Sequence, residues 1–295
     1  MSPQFKAQLQ INFCVLMWGF TAILGKAIDM PALALVWWRM LMVAALLLLV
    51  PRVWRGLRAM PWRLLGAYSG IGVIVALHWL TFYGSIKLAN ASVAATCLAL
   101  APAFLALVEP WVAQRRPDLR ELLIGLAVVP GVALVAGGVP SGMHMGLAVG
   151  VLSALLVAVF GSFNKRYVER ADPFVVTTVE LGVGGLFLTL LAPLFGGWQA
   201  LFTVPHGRDL VLLLILVVGC TLLPFTVYLL ALRRLSAFSA QLAVNLEPLY
   251  AIGLAALLFG EQHELNLKFY LGVAIVLAAV FLHPWLVRRA HAPAA

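Results

Sequence analysis

Residues 82–102 read FYGSIKLANASVAATCLALAP and residues 228–248 read YLLALRRLSAFSAQLAVNLEP. Aligned without a gap, at a shift of 146 residues, they place Lys87 on Arg233, Asn90 on Ser236 and Pro102 on Pro248. Further on, Gly125 to Val129 resembles Gly272 to Val276 at a shift of 147. Apolar sequences match one another cheaply, so a duplication needs independent support.

Outward from these stretches the chain is apolar almost throughout. Hydrophobic residues fill 63% of the 295 positions and charged residues 11%, with a mean hydropathy of +1.03. Soluble domains hold about 45–50% apolar and about 25% charged residues. A chain this apolar needs lipid as its solvent. A hydrocarbon core of about 30 Å takes about 20 helical residues. Runs of that size, cut at loop signals, fall at 8–26, 31–51, 62–84, 90–112, 119–138, 144–165, 173–196, 208–231, 237–259 and 265–286. They predict ten transmembrane helices with connections too short for a separate soluble domain. The first run follows Lys6 without an A-x-A-like cleavage site, so it reads as a span and not as a signal peptide.

The loop charges supply the independent support. One set of alternate segments carries fifteen Lys and Arg; the other carries four, at Lys26, Lys87, Arg208 and Lys268. The positive-inside rule places the richer set, and both termini, in the cytoplasm. Five helices per repeat is an odd number, so the second repeat must enter the membrane inverted and exchange the bias of equivalent loops. It does: the loops hold 1, 4, 1 and 3 cations in the first half and 3, 1, 2 and 1 in the second. The expected fold is therefore an all-α integral membrane protein of two five-helix inverted-topology repeats, at 1–140 and 141–290, with a short cytoplasmic tail at 291–295. Inverted repeats of this kind build transporters with a midplane site. The net charge of +9 belongs to these loops, and nucleic acid is not an expected partner.

Catalytic and metal-binding patterns are missing. Cys14, Cys97 and Cys220 are far apart within apolar runs, and the chain has no H-E-x-x-H, G-x-S-x-G, C-x-x-C or phosphate-binding Gly-Lys-Ser/Thr loop. No enzyme, cofactor or metal centre is expected. An intramembrane enzyme acting on lipid, with Glu180, Glu247 and His78 as its acid/base set, is the alternative from another class.

Three local patterns add a likeness: Trp18-Gly19-Phe20 followed by Lys26; Trp38-Arg39; and Asn245-Leu246-Glu247-Pro248 with Phe259-Gly260-Glu261. They resemble the drug/metabolite transporter superfamily, its EamA-repeat family and, within it, the YddG-type exporters of aromatic amino acids. The resemblance covers essentially the whole chain. It implies a secondary transporter of the bacterial inner membrane that exports aromatic or large neutral amino acids by alternating access. Its partners would be a small-molecule substrate and the lipid bilayer, with protons as a candidate coupling ion. Cationic drugs or other metabolites are the alternative cargo on the same fold. One departure is that the first repeat has Ala101-Pro102 and Ala113-Gln114 where the second has Glu247-Pro248 and Gly260-Glu261.

Ionisable groups inside a span cost on the order of 3 kcal/mol each, so each needs a reason. Glu180 and Glu247 lie well inside the seventh and ninth runs, either as substrate contacts or as partners of Arg39. Arg39 itself reads as structural, bonding carbonyls freed by a kink. His78, with Phe82 one turn on, maps through the repeat onto Pro224 and Tyr228. Trp79 and Tyr83 form the next stripe, facing centre or lipid. Trp18 sits mid-span beside Gly19. The expected binding set is Trp18, His78, Phe82, Tyr83, Tyr228, Glu180, Asn245 and Glu247, with Pro102 and Pro248 as hinges. Gly66-xxx-Gly70 and Gly146-xxx-Gly150 read as close helix contacts.

Overall fold

Apolar runs in lipid satisfy their backbone groups within the segment, which leaves helix as the available conformation. In the computed structural model, which describes residues 3–202, 204–244 and 246–290, helices take nearly the whole chain and no strand occurs among the described residues. The helices are α1 (Pro3–Ala27), α2 (Ala32–Leu48), α3 (Pro51–Ala59), α4 (Trp62–Leu88), α5 (Ala91–Leu98), α6 (Ala101–Ala113), α7 (Leu119–Gly138) and α8 (His144–Tyr167). They continue as α9 (Pro173–Leu191), α10 (Gln199–Phe202), α11 (Gly207–Val217), α12 (Leu223–Leu232), α13 (Ala237–Val244), α14 (Glu247–Phe259) and α15 (Leu267–Ala290).

Among the described residues, Pro3–Ala27, Trp62–Leu88, Ala91–Ala113, Ser141–Tyr167, Pro173–Phe195 and Gly207–Leu232 are long and apolar enough to cross a membrane. Leu126–Gly138, Glu247–Phe259 and Leu267–Ala278 are apolar over shorter lengths, and α2 meets α3 at a bend of 94°. That bend follows from Pro51, which opens α3 at a position where a missing N–H is harmless. The sequence reading treats α3 as loop, whereas its Arg52, Arg55 and Arg58 recur every third residue opposite the buried Val53.

Two elements repeat each other closely. α5 and α6 are displaced from α13 and α14 by 146 residues at all four boundaries. Asn90 caps α5, its Oδ1 accepting from Val93 N at 2.9 Å. Ser236 caps α13 in the same way, its Oγ accepting from Ser239 N at 3.0 Å. Each pair breaks before a short x-Pro start, so Pro102 and Pro248 stand in the first turn of a new helix and not within a continuous one. Each ends on a left-handed residue, Gln114 at φ 54° and Gly260 at φ 68°. The register of 146 therefore holds to the end, and Glu261 stands opposite Arg115 instead of Gln114, as the sequence alignment has it.

Packing brings the halves together. α7 lies along α15, where a Cβ added to Gly131 or Gly272 would strike the other helix's backbone. Gly146 and Gly150 are pressed in the same way against Ala89 and Cys97. Gly66 and Gly70 face open space, so that G-x-x-x-G is no helix contact. α4 packs on α8 and α9, and α1 on α12 and α14, enclosing a central space.

Candidate functional site

The central space is a cavity of about 650 Å³, mouth included, among α1, α2, α4, α5, α8, α12, α13 and α14. Three pairs of its lining residues are related by the 146-residue shift: Trp79 with Phe225, Phe82 with Tyr228, and Leu98 with Val244. The cavity therefore sits where the two repeats face each other. Its apolar wall is close to symmetric, and its polar groups are not. His78 answers to Pro224, and Glu247 answers to Ala101.

The rings pack mutually. Trp18 lies 5.3 Å from Tyr228, Trp79 6.1 Å from Phe225, and His78 5.3 Å from Phe160, centroid to centroid. His78 is held in one orientation by Ser153 of α8. Its Nδ1 is 3.0 Å from the Ser153 carbonyl and 2.9 Å from Ser153 Oγ, which donates to the His78 carbonyl at 3.0 Å. A carbonyl only accepts, so Nδ1 carries a proton and Nε2 is the ring nitrogen left for other partners.

Arg39, 2% exposed, is fixed on all sides. Its Nε donates to Thr221 Oγ1 at 2.6 Å and its guanidinium to Tyr83 OH at 2.7 Å and the Cys220 carbonyl at 3.4 Å. The plane also stacks 3.8 Å from the Trp79 ring centroid. The Cys220 carbonyl is available because Val218–Leu222 winds as a π-helical turn between α11 and α12, with Thr221 Oγ1 donating back to Leu216 O at 2.6 Å. A turn of this kind frees carbonyls from the i to i−4 ladder. Arg39 has five N–H donors, so these three bonds leave others directed elsewhere.

Glu247 opens α14, is 5% exposed and lines the same cavity. Among the described residues it has no hydrogen bond or ion pair, though its charge and that of Arg39 influence each other. Thr21 Oγ1, also on the wall, is buried without a partner among the described residues.

Of the residues the sequence singles out, Trp18, His78, Phe82, Tyr228 and Glu247 line the cavity. Tyr83 does not. It is wholly buried behind Arg39 and positions it. Glu180 is also outside, with no exposure, where its Oε2 accepts from Asn164 Nδ2 at 3.4 Å and its Oε1 has no partner among the described residues. Asn245 lies outside the described residues. Sequence reasoning passed over Arg39, Thr21, Phe160 and Phe225 as wall residues. For Arg39 the signal was present: it is the only Lys or Arg lying more than four residues inside a predicted span.

The comparisons agree with this architecture. The profile of the EamA-like transporter family matches residues 6–137 and again 144–283. A crystal structure of a protein 18% identical superposes with a TM-score of 0.66, covering 97% of this chain and 99% of that one, and supports the fold. No curated protein matches. With both halves matched by one profile, the chain is a multi-pass membrane protein belonging to the EamA-like transporter family.

Proposed function

We propose that this chain is a secondary transporter that exports aromatic or large neutral amino acids across a bacterial inner membrane by alternating access. Ten spans in two inverted repeats, both termini cytoplasmic, are part of the same proposal, and the loop charges support them. One observation carries the choice of cargo: Arg39 and Glu247 line a single aromatic cavity, and no ion pair joins them among the described residues. A zwitterion supplies what each lacks. Its carboxylate meets the free donors of Arg39, its ammonium meets Glu247, and its side chain lies among Trp18, Phe82 and Tyr228. Pro102 and Pro248 would serve as hinges, since each follows a break between paired half-helices.

Glu247 with surrounding rings also suits an aromatic cation, the cargo of the second reading. Arg39 in the same cavity opposes it, because a like charge in a desolvated site is strongly unfavourable. Proteoliposome flux of radiolabelled phenylalanine separates the two, with and without an imposed pH gradient. Saturable phenylalanine flux that falls about tenfold or more in both Glu247→Gln and Arg39→Lys is expected, the loss of one charged hydrogen bond in each case. Flux of a cationic dye with none of phenylalanine would move the assignment to drug export. A flux indifferent to the gradient would remove protons as the coupling ion.

A further inference from the structure

A second cavity, of about 450 Å³, opens at the end of the bundle where α3 turns away. On one side are Gly56, Met60 and Leu64 around the α3–α4 corner; on the other are Arg170, Asp172 and Val175 at the start of α9. Its floor is apolar and its rim is charged. The rim charge is unbalanced. Asp172 is already engaged, ion-paired with Arg52 and accepting from Phe174 N at 2.9 Å to cap α9. Arg170 is exposed, lies 5.1 Å from the Tyr167 ring centroid and pairs with no carboxylate among the described residues. Arg55, Arg58 and Arg63 stand exposed on the same corner.

The surroundings place this groove at a membrane surface. α3 leaves α2 at 94°, its Val53 fully buried against the bundle and its arginines outward. Trp54 and Trp62 are 49% and 77% exposed beside it. An amphipathic helix with a cationic polar face lies in the plane of the headgroups. Trp is enriched at that depth.

We infer that the groove between the α3–α4 corner and the start of α9 binds one anionic glycerophospholipid. Its phosphate meets Arg170, and its acyl chain lies along Met60, Leu64 and Val175. The occupant follows from the two halves of the groove: a free phosphate would have no use for the apolar floor, and a zwitterionic lipid would bring its own ammonium among the exposed Arg55, Arg58, Arg63 and Arg170. In the orientation proposed above, this is the inner leaflet, where polybasic segments gain from anionic lipid. The site is separate from the central cavity and does not depend on the cargo carried there.

The test is native mass spectrometry of the purified full chain, titrated with phosphatidylglycerol and with phosphatidylcholine, beside thermal unfolding in each. Phosphatidylglycerol is expected to be retained roughly fivefold more strongly, the value of one cationic contact near the surface. That preference should vanish in Arg170→Ala and persist in Arg234→Ala, an exposed arginine distant in sequence, between α12 and α13. An unchanged unfolding midpoint in phosphatidylcholine confirms that Arg170→Ala is folded. Equal retention of the two lipids by the unaltered chain overturns the proposal. So does an equal loss in Arg234→Ala, which would be diffuse charge attraction, and so does full protection by inorganic phosphate alone.

Discussion

The pair α5–α6 and its displaced copy α13–α14 share caps, break, proline and left-handed end, yet they are anchored differently. Beyond Gly260 comes Glu261, fully buried. Its carboxylate accepts from Ala91 N at 3.1 Å, Ser92 N at 2.9 Å and Ser92 Oγ at 2.5 Å, and pairs with Lys26 at 2.7 Å. One side chain thus ties the end of α14 to the start of α5 and the end of α1. At the matching place beyond Gln114 stands Arg115, which turns back on Glu109 of its own half at 3.3 Å. Among the described residues, no hydrogen bond or ion pair from Arg115 reaches the start of α13. Duplication gave two equal frames, and a single position of opposite sign gave the second copy a link to the other half where the first pairs within its own.

The comparison breaks most severely at Glu261. Glu261→Ala strands two backbone N–H groups and Lys26, and removing one partner of a buried ion pair costs about 3–5 kcal/mol. Lys26 retains 28% side-chain exposure, so a loss of about 3 kcal/mol is expected in detergent-solubilised protein, read from chemical or thermal unfolding. Arg115→Ala, at the equivalent place, breaks one ion pair and strands no backbone N–H, so a smaller loss of about 1–2 kcal/mol is expected. Equal losses in the two variants would refute the asymmetry. A double-mutant cycle of Glu261→Ala with Lys26→Ala then isolates the share due to the pair alone.

The caps give a smaller contrast. Asn90 caps α5 and also donates to Glu264 Oε2 at 2.8 Å, whereas the Ser236 side chain caps α13 and, among the described residues, bonds Ser239 alone. Replacing a cap by Ala costs about 0.5–2 kcal/mol. Asn90→Ala is expected near the upper end and Ser236→Ala near the lower, measured by the same unfolding. A reversal would show that α13 is the better anchored helix.

These elements also show how far the sequence could be read. The repeat was legible because the caps and prolines punctuate apolar runs at fixed offsets. The breaks at 99–100 and at Leu246 were not, since Ala99, Leu100 and Leu246 are as apolar as the helices they separate. α3 was hidden because Arg52, Arg55 and Arg58 count as loop charge under the positive-inside rule and as helix only by their spacing. In the cavity, His78 and Glu247 stood out through the cost of placing them in a span. Glu180 stood out for the same reason and is elsewhere, because burial against Asn164 and burial against a cavity carry the same sequence signature. Phe160 and Phe225 had no signature at all among sixteen Phe. The π-helical turn that binds Arg39 leaves none either.

The finest difference between the copies is at their left-handed ends. The φ of 68° at Gly260 and 54° at Gln114 is a conformation that costs a residue with a Cβ roughly 1–2 kcal/mol and glycine almost nothing. The second repeat therefore ends without strain and the first ends with some. Gly260→Ala should lose about 1 kcal/mol, while Gln114→Gly should gain a smaller amount, about 0.5 kcal/mol, because glycine's extra freedom in the unfolded chain offsets part of the relief. Both are read as shifts in unfolding midpoint. A gain in Gln114→Gly together with unchanged flux would show the strain to be residue from the duplication. A gain accompanied by slower flux would show instead that transport depends on a strained, readily released turn at the end of α6.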